Sequence, residues 1–89
     1  MEVTPPKTYN LSLEVIFEDD HLAIVWKPSG INVSGNQFKT IQNALMFNLK
    51  KSIGIDALNW PKPVHRLDNQ TSGLLVIAKS KKARVVLGQ

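Results

Sequence analysis

His65-Arg66-Leu67-Asp68-Asn69-Gln70-Thr71-Ser72-Gly73-Leu74-Leu75-Val76-Ile77-Ala78-Lys79 joins three kinds of sequence: a charged segment, a short polar turn and an apolar run. Leu74 to Ala78 is unbroken hydrophobic sequence of buried-strand length. Asn69 to Gly73 has turn chemistry, in which Asn, Ser and Gly supply local hydrogen bonds and permissive backbone. Arg66 and Asp68 lie two residues apart. In extended backbone they share a face, so a guanidinium would stand beside a carboxylate and favour its ionised form. Asp68 is thus expected at the rim of a core, backed by a rigid strand. That position suits a reactive acid, and it suits a turn-capping acid equally well.

Working outward, Leu11, Leu13, Val15 and Phe17 alternate with other residues as a strand with one buried face would. Glu18-Asp19-Asp20-His21 is a polar turn. Leu22 to Lys27 is a second strand, so the pair reads as a hairpin. Pro28, which lacks an N–H for a sheet ladder, ends it. Thr40 is a helix N-cap, and Ile41, Ala44, Leu45 and Leu49 follow at helical spacing, with Met46 and Phe47 widening the stripe. Lys50 and Lys51 suit the negative end of the helix dipole. Asn59-Trp60-Pro61-Lys62-Pro63 reads as rigid loop. Ser80 caps a last helix carrying Ala83, Val86 and Leu87. The fold class is α+β: an antiparallel or mixed sheet with one or two helices, one side of the sheet lacking cover. Residues 1–10 form a loose lead, and 11–89 form the folded part.

Composition narrows the functional classes. The 89 residues carry 43% hydrophobic and 20% charged side chains, within the globular range. No cysteine is present, which excludes disulfides and thiolate metal sites and agrees with a reducing, cytoplasmic location. No apolar run reaches bilayer-spanning length, and Met1 to Lys7 has no apolar core of a signal peptide, so no membrane partner is expected. The net charge of +4, with lysines grouped at Lys50-Lys51 and from Lys79 to Lys82, favours a polyanionic partner. His21, His65, Asp19 and Asp20 follow no metal-ligand spacing, so no metal and no cofactor are expected. Trp26 and Trp60 are expected to pack in core or loop rather than to stack on bases.

Asp68 carries the sharpest functional reading. An ionised carboxylate at an open cleft can attack an anomeric carbon without metal or cofactor, as retaining glycosidases do. His65, taken by itself, is expected to find a backbone partner.

The stretch from His65 to Lys79 resembles the signature of the RluA-type RNA pseudouridine synthases: a His-Arg-Leu-Asp run, a polar turn, Thr-Ser-Gly, and an apolar strand ending near Ala-Lys. Val15 to Leu22 followed by Val25-Trp26-Lys27-Pro28-Ser29-Gly30 is similar to the opening hairpin and Lys-Pro-x-Gly loop of that family, and Thr40 to Leu45 resembles its first helix. The resemblance runs from about Leu13 to Gln89. It implies an incomplete, N-terminal portion of the pseudouridine synthase catalytic fold, acting on uridine in ribosomal or transfer RNA. Asp68 falls on the catalytic aspartate of the family. Arg66 falls on an arginine that helps hold the flipped-out base, and His65 and Lys27 accompany it as candidate RNA contacts. The family's later aromatic residue, which stacks on the base, and the basic partner of its acid have no counterpart here. The 89 residues alone are therefore expected to be inactive. The rival readings are a non-catalytic RNA-binding module and a fragment that self-associates through its uncovered sheet.

Overall fold

The structure, a computed structural model, describes residues 7–88. Its elements are β1 (Glu14–Glu18), β2 (Leu22–Lys27), α1 (Ile41–Asn48), β3 (Ala57–Pro63), β4 (Gly73–Ser80) and α2 (Lys81–Leu87). The four strands form one antiparallel sheet in the order β1-β2-β4-β3. This is the α+β class read from the sequence. The first six residues of the expected lead lie outside the described residues.

The centre of the sheet is the β2·β4 ladder. Ala23 faces Ile77, Val25 faces Leu75 and Lys27 faces Gly73. Directly opposed residues share a face, so these pairs make one side of the sheet. α1 lies on that side. Thr40 caps it, its Oγ1 accepting the Asn43 N–H at 3.2 Å. Ile41 and Leu45 pack with Val25, Leu75 and Ile77 as the core, joined by Val33 and Leu49. Full burial of one such side chain is worth roughly 1.5–3 kcal/mol. Met46 and Phe47, expected to widen the buried stripe, are exposed instead. Of the eight helical residues only Ile41, Ala44 and Leu45 are buried, so the buried stripe is narrower than the hydrophobic one.

The other side of the sheet is open in part. Trp26 pairs with Leu74 and Ile24 with Val76 across the same ladder. Trp26 is 41% exposed and Leu74 53% exposed, so Trp26 is not the packed residue the sequence suggested. The expectation of an uncovered sheet face holds at this end. At the other end Ala78 and Ser80 are buried, and α2 follows directly. Ser80 caps α2 as expected, accepting the Ala83 N–H at 3.1 Å, and also meets His21 Nδ1 at 3.1 Å.

β1 departs from the simple alternation. Val15 pairs with Val25, but Phe17 pairs with Ile24, so a bulge between them moves Phe17 to the opposite face. Leu11 and Leu13 precede the strand. Asn48 of α1 holds that segment: its Oδ1 accepts the Leu13 N–H at 2.8 Å and its Nδ2 donates to the Leu11 carbonyl at 2.7 Å.

The β1–β2 turn is fixed by Asp19. Its Oδ1 accepts the N–H groups of Leu22 at 2.9 Å and His21 at 2.8 Å. These bonds hold the carboxyl below its ordinary 3.8. A carboxyl lowered on folding stabilises the fold above 3.8, and that contribution disappears as pH falls through the folded-state value. Asp19→Ala is therefore expected to lower the urea midpoint at neutral pH. The gap from the parent should close on acidification below 3.8. A gap independent of pH would show that the carboxylate does not set the turn.

β3 replaces the expected rigid loop. It is an edge strand with an irregular ladder: Ala57 pairs with Ser80, and the next pairs are Lys62 with Ala78 and Pro63 with Ile77. The intervening residues arch out of register. Prolines are tolerated here because an edge strand has one side without a ladder, which is why a proline-rich sequence still forms a strand.

Candidate active site at the Asp68 turn

Past β3 the chain leaves the ladder. Val64 still donates its N–H to the Val76 carbonyl at 3.0 Å, and the His65 ring takes the place of the next backbone acceptor. His65 Nε2 accepts the Val76 N–H at 3.1 Å. The backbone partner expected of a lone histidine is thus present, and this bond occupies one ring nitrogen of an otherwise exposed side chain.

Leu67 then packs against the core, and Asp68 follows at the surface. Asp68 opens a tight turn in which its carbonyl accepts the Thr71 N–H at 2.9 Å. The turn is clamped from beneath by the loop after β2. Lys27 is fully buried, and its Nζ donates to the carbonyls of Pro28 at 2.9 Å, Asn69 at 3.1 Å and Thr71 at 2.8 Å. Gly30 N–H donates to the same Asn69 carbonyl at 2.7 Å. Ser29 Oγ donates to the Gln70 carbonyl at 2.8 Å, and Asn69 Nδ2 donates to Asn32 Oδ1 at 3.0 Å. Gly30 has φ +95°, the left-handed region in which glycine is the natural residue. That conformation brings its N–H to the turn.

Two expectations change here. Lys27 was expected to contact RNA. The Lys27 side chain is itself buried and its ammonium donates to three protein carbonyls, so it organises the turn instead of reaching out from the surface. Its position follows from period two, since Ala23, Val25 and Lys27 lie on the inward face of β2. Arg66 and Asp68 also fail to form the expected pair. The one ion pair among the described residues is Lys79 with Glu18. The reason is local: residues 64–68 are not in strand conformation, so spacing of two no longer places side chains on one face. Both remain exposed at the same surface segment. Burial pulls the Lys27 ammonium below its ordinary 10.5, and the Asp68 carboxylate partly offsets this.

The Asp68 carboxylate has no hydrogen-bond or ion-pair partner among the described residues, while the turn under it is bonded at each of Asn69, Gln70 and Thr71. The arrangement is a fixed support carrying an open carboxylate. Sequence reading located that acid but missed the clamp by Ser29 and Asn32, whose loop has no periodicity to reveal its partners.

The sequence was compared with known proteins. Residues 21–89 match the model of the RNA pseudouridylate synthase family. The chain is 44% identical over 82 residues to the ribosomal large subunit pseudouridine synthase D of Zymomonas mobilis, covering 88% of this chain and 26% of that protein. It is 37% identical over 83 residues to the protein of the same name from Pseudomonas aeruginosa, covering 88% of this chain and 24% of the other. It is 39% identical over 80 residues to an uncharacterized RNA pseudouridine synthase of Aquifex aeolicus, covering 86% of this chain and 25% of that protein. The chain spans about a quarter of the length of these curated relatives. On the family match alone, which takes in the Asp68 turn and its clamp, the chain belongs to the RNA pseudouridylate synthase family.

Proposed function

We propose that the whole protein to which these residues belong isomerises uridine to pseudouridine in ribosomal RNA, with Asp68 as the catalytic carboxylate. The observation that carries this reading is the open, unpartnered Asp68 on a turn immobilised by Lys27 and the 28–32 loop. In the reaction the N1–C1′ bond breaks, a C5–C1′ bond forms, the C5 hydrogen leaves as a proton and N1 gains one. Nothing is oxidised or reduced. An ionised acid can begin this by attacking C1′, by adding to the uracil ring or by removing the 2′ proton, and each entry needs a carboxylate that is charged and accessible. A base inside a helix is out of reach, so the target is flipped out or already unpaired. Arg66, exposed two residues from Asp68, is assigned to holding that state. The partner is RNA, and the location proposed is the cytoplasm. Residues 1–89 alone are proposed to be inactive, because the stacking aromatic and the basic partner implied by the resemblance are not among them.

The test uses a chimera in which these residues replace the matching segment of the Zymomonas mobilis relative. Its substrate is large-subunit ribosomal RNA tritiated at uracil C5. Tritium release that depends on Asp68 supports the proposal. RNA bound with no release would favour the non-catalytic binding module.

A further inference from the structure

The sheet has a second feature at the end away from the Asp68 turn. A groove of about 650 Å3 opens between the C-terminal end of α1, the loop after it and the arch of β3. Leu49, Leu58, Trp60 and Pro61 give it an apolar floor, and Lys50 and Lys51, both exposed, stand at its edge. Lys79 also lines it, but its ammonium is paired with Glu18, which in addition accepts the Lys50 N–H at 2.6 Å. Among the described residues no carboxylate lines the groove. Trp60 is half-buried and lines the opening.

We propose that this groove binds a single-stranded segment of RNA flanking the target uridine, one base stacking on Trp60 and its phosphates lying against Lys50 and Lys51. Charge complementarity selects the occupant. The unpaired charge at the groove is positive, and an aromatic face beside lysines is the combination that holds unpaired nucleotides without reading their sequence. An acidic peptide would use the lysines but leave the Trp60 face unmatched. The β3 arch explains why the groove exists. Residues between Ala57 and Lys62 run out of register with β4, and this moves Trp60 off the ladder into the opening. The register irregularity thus has a use: it turns an edge strand into a groove wall. The distance to the Asp68 turn is set by β4, which spans Gly73–Ser80 and at about 3.3 Å per residue separates the two ends by roughly 20 Å. A strand seated in the groove would therefore lie several nucleotides from the base at Asp68. The inference rests on the proposed RNA substrate and adds a site distinct from the catalytic turn.

Trp26 and Trp60 supply a built-in comparison, because Trp26 lies on the opposite, open side of the sheet. The nitrogen-15-labelled chain is titrated with hexauridylate, and the two indole N–H signals are followed. The Trp60 signal is expected to move while that of Trp26 stays in place. Fluorescein-labelled hexauridylate should bind Trp60→Ala roughly ten- to a hundredfold more weakly. Lys50→Gln with Lys51→Gln should reduce the salt dependence of log Kd by about 0.7 per lysine. A Trp60 signal unmoved by hexauridylate, or moved equally by polyglutamate, would overturn the proposal. If the isolated chain lacks a dispersed spectrum, the same titration in the chimera decides. Asp68-dependent tritium release without a Trp60 response would remove the groove and leave the proposed reaction standing. A Trp60 response in a chimera whose release survives loss of Asp68 would keep the groove and remove Asp68 from the reaction.

Discussion

Asp68→Asn in the chimera is expected to lower turnover by about 10⁴-fold or more, the scale on which loss of a covalent nucleophile or central base is felt. The substitution is nearly isosteric and removes the charge. The Asp68 carboxylate is exposed and without partners among the described residues, so the fold should not register the change. Surface substitutions of that kind fall within about 0.5 kcal/mol of the parent. RNA affinity should be unchanged or tighter, since a negative charge is removed beside a polyanion. The combination of lost turnover, retained melting temperature and retained affinity is what separates a chemical role from a turn-capping one. An active Asp68→Asn protein would remove the acid from the mechanism. An inactive protein with a collapsed melting temperature would make it a structural residue.

Lys27→Met should have the opposite signature. Methionine fills much of the same volume, so the change isolates the ammonium. Its loss strips the Thr71 and Pro28 carbonyls of their protein partners and leaves Asn69 with the Gly30 N–H alone. Each acceptor stranded in a partly buried site costs about 1–3 kcal/mol, set against relief from burying a charge. A net destabilisation of roughly 2–4 kcal/mol is expected, at about 4–8 °C of melting temperature per kcal/mol in a domain of this size. The pH dependence identifies the cause. Burial holds the Lys27 pKa below 10.5, so over the window between the folded value and 10.5 the unfolded chain binds more protons than the folded one. Stability contributed by Lys27 therefore rises with pH across that window. The gap between parent and Lys27→Met should widen there, and a constant gap would refute the assignment. Turnover in the chimera should fall by roughly 10²-fold, because displacement of a catalytic group by about 1 Å is enough for that.

Strong local signals in the sequence survived folding. The β2 and β4 runs, the Thr40 cap with its Ile41, Ala44 and Leu45 stripe, and the Ser80 cap are all where periodicity and capping chemistry put them. The failures share a physical origin, in that tertiary pairing overrode a local rule. A bulge broke the alternation of Val15 and Phe17. An edge position admitted Pro61 and Pro63 to a strand. The bend at Val64 and His65 parted Arg66 from Asp68. At the site, Asp68 was legible as an acid at the edge of a core, and Lys27 could have been placed inward from strand parity. The bonds from Ser29, Gly30 and Asn32 could not, because loop-to-loop contacts leave no period in the chain.

The Lys27 clamp also has a consequence in time. Its partners at Asn69 and Thr71 lie 42 and 44 residues downstream. During synthesis at about 5–20 residues per second, β2 waits several seconds for them. Until β4 arrives, the nascent hairpin displays an unpaired strand edge and an ammonium destined for the interior. Lysine at that position is well hydrated while it waits, which discourages premature association of the edge. Docking of β4 then buries the charge and shapes the Asp68 turn in one event. Shaping of the Asp68 turn is thus tied to completion of the sheet centre, and an incompletely synthesised chain would have neither.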